Sequence, residues 1–285
     1  MKKCFLLSII CLMTASYVLA QNNPNVFKHN VGAIEVYLLS EGPETGNSRV
    51  LVGATPEMIE ECLTDGNFSN PINAFLVRFP SGKNVLVDTG RRSQPLLENL
   101  GSIGVTADQI DVVLITHTHG DHIGGTIVDG SAVFPRAELY MSKQEHDLNS
   151  SGAGARNMIE AYGSRLRLFE PKEIDASPDE LFAGIRAVAA FGHTPGHTLF
   201  LVESGAEKLL IWGDLTHAND IQMQYPQVAL IWDTDNEKAI ETRKKVFEYI
   251  VANNLTVAGM HNAFPGMGKM TNRAGGGYTY TPVNN

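Results

Sequence analysis

Cysteine is almost missing from this chain. Three occur in 285 residues, and two of them, Cys4 and Cys11, lie within the first twenty. Only Cys62 follows, so the remainder cannot form an internal disulfide, and its stability must come from a packed core. Basic residues are also scarce: 22 Lys and Arg stand against 31 Asp and Glu, for a net charge of −9. That balance argues against a polyanionic partner, nucleic acid in particular. No repeat, low-complexity tract or long linker interrupts the sequence, so a single domain accounts for it.

The one long apolar run comes at the start. Met1-Lys2-Lys3 is a basic opening, Phe5 to Val18 is mostly apolar, and Val18-Leu19-Ala20 offers a small-residue cleavage site before Gln21. This predicts a secretory signal peptide over residues 1–20, cut after Ala20, and a periplasmic or secreted protein. The run is too short and too lightly flanked for a membrane span, so no stable anchor is expected after cleavage. Neither Cys4 nor Cys11 has the small-residue context of a lipoprotein signal. Residues 21–285 then form one domain, ample for a large α/β fold, with hydrophobic content of 43% over the whole chain. Without Lys2 and Lys3 its charge is 20 − 31, or −11.

What the chain does have is a run of unusual density, Thr116-His117-Thr118-His119-Gly120-Asp121-His122. Three imidazoles and a carboxylate in six positions suit a divalent cation, because zinc and its neighbours accept neutral imidazole and carboxylate together. Asp111 to Ile115 is a short apolar run rich in β-branched residues, the pattern of a buried strand, so the cluster sits just past a strand's end. Open α/β sheets place their sites there. In such a loop His117 and His119 can face one ion while Asp121 and His122 face a second. Gly120, and Gly124-Gly125 behind it, are expected to keep the bend free of Cβ clash.

Elsewhere the pattern alternates strands and helices. Strands are predicted at Ala33–Leu39, Asn73–Phe79, Val85–Val87, Glu138–Met141, Ile185–Ala190, Thr198–Glu203 and Lys208–Trp212. Helices are predicted at Thr55–Leu63, Pro95–Leu100, Thr106–Ile110, Ser142–Leu148, Arg156–Ala161 and Asn236–Asn253. The last carries Ala239, Ile240, Val246, Phe247 and Ile250 at helical spacing. Ser40 to Arg49 and the tail around Gly275-Gly276-Gly277 read as irregular. Two sheets with helices outside fit this order.

Histidines and acids recur after later strands: His193 and His197 in Phe191 to His197, Asp214 in Trp212-Gly213-Asp214-Leu215, and His261 after Ala258-Gly259-Met260. With Asp88 in Asp88-Thr89-Gly90, the chain resembles the metallo-β-lactamase superfamily over essentially all of residues 21–285. The resemblance implies an αββα sandwich of two mixed sheets packed face to face with helices outside. It implies that His117, His119 and His193 bind one ion, Asp121, His122 and His261 a second, and that Asp214 bridges both. Asp88 would orient the ligand loop without binding metal, and His197 would pack behind it. Two divalent ions follow, zinc first, with manganese, iron or cobalt also compatible with the donors.

Within the superfamily the chain is similar to the branch of methyl parathion hydrolase and exported lactonases. Pro71 to Val77, Phe191 to His197, Gly213-Asp214-Leu215 and Met260 to Gly268 carry that likeness. It implies a small-molecule substrate: lactones, acyl-homoserine lactones among them, or related esters, with organophosphate triesters as the alternative. An aspartate at position 214 departs from true β-lactamases, which carry cysteine or serine nearby. Only 71 residues follow it, too few for the helical domain of glyoxalase II-like thioesterases. A non-catalytic metal-binding module is the alternative of a different class, but it would not need seven ligands and an open bridge. Relatives also imply a homodimer.

The chemistry implied gives Asp121 a proton-shuttling role beside ligation. His217 stands three residues after the bridging acid, where acyl-homoserine lactonases have tyrosine, and is expected to donate to the substrate oxygen or leaving group. Phe264, Met267, Trp212 and Met223 are candidates for pocket wall or core. His29 and His146 read as solvated, and Cys62 as a small buried hydrophobe.

Overall fold

The computed structural model describes residues 23–284 apart from 150–151, 177–179 and 183, so the predicted signal segment lies outside the described residues. One sheet contains β1 (Val26–Val31), β2 (Ile34–Ser40), β3 (Asn73–Arg78), β4 (Asn84–Val87), β5 (Val112–Leu114), β6 (Glu138–Ser142) and β7 (Leu166–Phe169). Each strand pairs with its neighbour in chain order, antiparallel from β1 to β4 and parallel from β4 to β7. The second sheet runs β8 (Ile185–Ala189), β9 (Thr198–Ser204), β10 (Glu207–Ile211), β11 (Thr256–Ala258), β12 (Met267–Asn272) and β13 (Tyr278–Pro282). Only its β10–β11 pair is parallel. The helices are α1 (Pro56–Cys62), α2 (Ser93–Ser102), α3 (Gly120–Ile123), α4 (Lys143–Asn149), α5 (Ala153–Tyr162), α6 (Asn219–Gln222) and α7 (Asn236–Ala252).

Residue parity shows how these pieces stack. Along β2, Val36 and Leu38 face the second sheet, where they join Phe200, Val202, Leu209 and Ile211 in one cluster. The alternate residues Tyr37 and Leu39 join Leu96 and Leu100 of α2 and Met158 and Tyr162 of α5. The second sheet repeats the arrangement: Leu199, Leu201 and Leu210 turn outward onto Val246, Phe247 and Ile250 of α7. Both sheets are therefore buried on two faces, which is why their strands read as continuous apolar runs. The order of layers is α, β, β, α, as the resemblance implied.

Differences from expectation fall at weak signals. β1, β7, β12 and β13 had no predicted counterpart, β11 is the strand expected before His261, and residues 107–109 form a single 3-10 turn instead of a helix. The glycine-rich tail is not irregular throughout: β12 and β13 form a hairpin in which Gly275, Gly276 and Gly277 all have positive φ. Cys62 is half-buried at the end of α1 and His29 is half-buried on β1, so neither matches its predicted environment. No helix among the described residues is long and apolar enough to cross a membrane.

Candidate metal centre

Five strand ends meet at one edge of the sandwich. Asp88 follows β4, the histidine cluster follows β5, His193 follows β8, Asp214 follows β10 and His261 follows β11. The two sheets are tied together there by Thr198 N donating to Thr116 O at 2.9 Å. Glycine permits the close approaches. Gly213 has φ +53 and Gly192 φ +131, and a Cβ would overlap His197 at the first and the backbone of Ala239 at the second. Gly124 and Gly125 likewise press against the carbonyls of Arg91 and Thr89. Gly120 does not fit its expected role: a Cβ there meets nothing within 4 Å. The bend is made by the start of α3, which an ordinary residue could also begin.

Asp88 has φ +57, a conformation that aspartate tolerates better than most residues. Its carboxylate accepts from Thr116 N at 2.8 Å and Thr116 Oγ1 at 2.7 Å, and lies 2.7 Å from His122 Nδ1. A carboxylate can only accept, so His122 carries its proton on Nδ1 and presents a bare Nε2. The same logic applies around the site. His193 Nδ1 lies 2.8 Å from Asp233 Oδ1, and His261 Nδ1 lies 2.9 Å from Pro71 O. Thr116 Oγ1, having given its hydrogen to Asp88, accepts from His117 Nδ1 at 3.1 Å. Four imidazoles thus turn Nε2 lone pairs inward.

All four face Asp214, which is 2% exposed. Its Oδ2 lies 3.4 Å from His117 Nε2 and 3.2 Å from His193 Nε2, while Oδ1 lies 3.1 Å from His122 Nε2 and 3.3 Å from His261 Nε2. His119 joins the first pair, its Nδ1 being 3.0 Å from His193 Nε2. Asp121 joins the second, its oxygens 3.8 Å from His122 Nε2 and 3.8 Å from His261 Nε2. Two separate donor groups result, His117, His119, His193 and Asp214 on one side and Asp121, His122 and His261 on the other, each compact enough to hold an ion, and a third compact group, Asp214, His217 and His261, overlaps both. Asp214 has one oxygen towards each.

Lone pairs facing carboxylate oxygens repel unless a positive charge lies between them. Nε2 of His117, His122 and His261 and Oδ1 of Asp214 are buried with no hydrogen-bond partner among the described residues. Burial alone would raise the Asp214 carboxyl, but His122, His217, His261 and His117 hold it well below the usual range. Burial would lower His193, yet the carboxylates of Asp214 and Asp233 push it up to about 9. His122 is likewise raised by Asp214 and Asp88 against burial. The site draws positive charge to these nitrogens, and a nitrogen-and-carboxylate donor set of this kind fits divalent ions.

Other side chains hold the donors in place. His197 is fully buried behind the site, where Nδ1 donates to Ala190 O at 3.0 Å and Nε2 accepts from Asp214 N at 3.0 Å. Burial first, then His193, lowers it to about 3, so it stays neutral. Glu145 was not anticipated: it accepts from Thr118 N and Oγ1 at 2.9 and 2.7 Å and from Thr194 Oγ1 and Gly196 N at 2.7 and 3.1 Å. It joins the His117–His119 loop to the His193 loop. Asp233 was missed as well, since nothing in its local sequence points to His193, 40 positions away.

The donors open on a cavity of about 510 Å³ lined by Asn70, Arg91, His119, Gly120, Asp121, Asp214, His217, Trp232 and His261. His217 Nε2 lies 2.9 Å from Asp214 Oδ2, and its ring stacks on His261 at 4.4 Å. Burial lowers His217 to about 4. The apolar wall is Trp232, 40% exposed and 5.4 Å from the His217 ring. Of the four predicted wall-or-core residues, Trp212, Met223 and Met267 are core, and Phe264 is exposed, its ring edge-on to Phe27.

This geometry has counterparts. The family model of the metallo-beta-lactamase superfamily matches residues 69–261, a span that contains every donor described above. A probable metallo-hydrolase of Methanocaldococcus jannaschii is 24% identical over 166 residues, covering 57% of this chain and 64% of that protein. The anti-Pycsar protein Apyc1 of Bacillus phage 010DV004 is 47% identical over 53 residues. That match takes in 19% of this chain and only 20% of the phage protein's length. Among solved structures, hydrolase AbOPH of the beta lactamase superfamily superposes with a TM-score of 0.81 at 25% identity, covering 93% of this chain and 99% of that one. AidC, a dizinc quorum-quenching lactonase in complex with a hexanoyl-homoserine product, superposes at 0.79 with 25% identity, covering 92% and 98%.

Proposed function

Because this chain belongs to the metallo-beta-lactamase superfamily, we propose that it is an exported dinuclear metal-dependent hydrolase that opens lactones or related esters. The observation that carries this reading is the single buried carboxylate of Asp214, with one oxygen towards each of two imidazole groups. Likeness to a lactonase over nearly the full length of both chains supports the substrate class. The basic opening and apolar run of residues 1–20 support export. Zinc is the proposed metal, since neutral imidazole and carboxylate donors suit it.

Two divalent ions held there would lower the pKa of water towards neutrality and polarise a carbonyl oxygen. The residues do the rest. Asp214 and the imidazoles fix the positions of charge, and their supports at Asp88, Asp233 and Pro71 O keep each ring in one tautomer. Asp121, with a side chain 28% exposed, faces the cavity and can take a proton from the attacking water and pass it to the leaving alkoxide. His217 faces the same space, and its Nε2–H, which points at Asp214 Oδ2, is the proton it would turn to a substrate oxygen once that carboxylate is engaged by metal. The Trp232 ring excludes water from one wall.

A substrate panel tests the reading: aliphatic and acyl-homoserine lactones, a phosphotriester, a cephalosporin and a glutathione thioester, with metal-replete protein. A lactone is expected to give the highest kcat/KM, and a cephalosporin as best substrate would overturn the proposal. Replacing His217 with Ala is expected to lower kcat by about 100-fold or more, within the range for loss of one hydrogen-bond donor to a developing oxyanion, with metal content unchanged. An unaltered kcat would remove His217 from the mechanism.

A further inference from the structure

Arg243 stands on the buried face of α7, 1% exposed among Ala239, Val246, Phe247 and Ile250. A guanidinium so placed needs an acceptor for each donor and a negative charge nearby. Its Nε donates to Leu215 O at 2.7 Å, and Nη1 donates to Pro226 O and Val228 O, both at 2.9 Å. Nη2 faces Asp233 Oδ2 at 4.0 Å. Two of these acceptors, Leu215 and Asp233, belong to loops that build the metal centre. Leu215 directly follows Asp214, and Asp233 holds His193 Nδ1 through its other oxygen. The Asp233 loop also grips the His193 loop by its backbone, with Thr234 N donating to His193 O at 2.9 Å and Asp235 N to Gly192 O at 3.0 Å.

We infer that Asp233 and Arg243 act as a pair of positioning residues that set the metal affinity of one half of the centre, the half built on His117, His119 and His193. The inference rests on the dinuclear reading above. Selectivity follows from where each imidazole finds support. His122 leans on Asp88 and His261 on the Pro71 carbonyl, so neither depends on Asp233. His193 has no such alternative: without the Asp233 carboxylate its ring loses both its tautomer and its orientation. Arg243 supplies the charge that lets a second carboxylate lie buried near Asp214, and its planar fork reaches three carbonyls that a lysine could not serve together.

Stepwise metal titration of metal-free protein against a chromophoric zinc chelator tests this, using wild type, Asp233→Asn and Arg243→Lys, with circular dichroism as a check on folding. Wild type is expected to bind two zinc ions. Asp233→Asn is expected to weaken one step by about 10–100-fold, the range for ligand-supporting residues, and to leave the other step unchanged. Arg243→Lys is expected to weaken the same step, and the double variant to lose less than the product of the two, because the residues share one role. Two unchanged steps in Asp233→Asn, or an equal fall in both, would overturn the inference. Should Arg243→Lys fail to fold, Asp233→Asn decides alone. A wild-type protein that binds a single ion would sink the dinuclear reading instead, and the positioning role would then be judged by whether Asp233→Asn weakens that ion.

Discussion

Replacing Asp214 with Asn is expected to leave the fold intact and to lower kcat/KM by at least about 1,000-fold, the upper range for loss of a single electrostatic group in an active site. The large effect follows from the residue's double position. One oxygen faces His117 and His193 and the other faces His122 and His261, all within 3.1 to 3.4 Å. The amide removes the negative charge from both sides at once and turns an NH₂ group towards inward-facing imidazoles. The fold survives because the backbone of residue 214 keeps its own bond to His197 Nε2, and the side chain retains its shape. Steady-state kinetics and metal analysis on the same preparation check the result. A variant that retains two ions and activity within about tenfold of wild type would contradict the bridging role.

Most of the candidate metal donors were legible because they sit beside a local signal. Four imidazole and carboxylate groups fall within His117 to His122, and glycine precedes both His193 and Asp214 where the backbone has positive φ. The layered fold was legible for a related reason: strands buried on two faces are continuous apolar runs, and α7 keeps a helical spacing over seventeen residues. What escaped notice had no such signature. β7 exposes Arg167 and Leu168, so it carries no usable periodicity. β1 buries only Phe27 and Val31, and its assignment depends on pairing with β2.

The supporting residues were hidden more deeply. Asp233 meets His193 across 40 positions, and Glu145 meets Thr194 across 49, so each is a lone acid until the chain folds. Arg243 interrupts the apolar face of α7, where Ile240 had been read as a member and is only half-buried. The cavity wall was illegible for a different reason. Trp212 and Trp232 are equally apolar, but the first fills the core beneath the second sheet and the second lines the opening. Hydrophobicity reports that a side chain avoids water, not which space it fills.

Chelating the metal is expected to lower the melting temperature by about 10 °C. An ion present at about 1,000 times its Kd stabilises the folded state by about 4 kcal/mol, and in a domain of this size each kcal/mol moves Tm by about 2–4 °C. The structure gives the reason that this linkage is strong here. Without a cation, Nε2 of His117, His122 and His261 and Oδ1 of Asp214 are buried and unpartnered, and each such group costs about 1–3 kcal/mol. Protonation relieves part of this at His122, whose pKa is raised by Asp214 and Asp88 against burial. It cannot relieve His117, which burial and its imidazole neighbours hold far below the usual range. Differential scanning calorimetry with and without chelator measures the shift, and Asp214→Asn serves as the control. Its melting temperature should respond to chelator much less, because it has already lost the group that both ions share. A wild-type Tm that ignores the chelator, with metal removal verified, would show that these donors bind no ion in the folded protein.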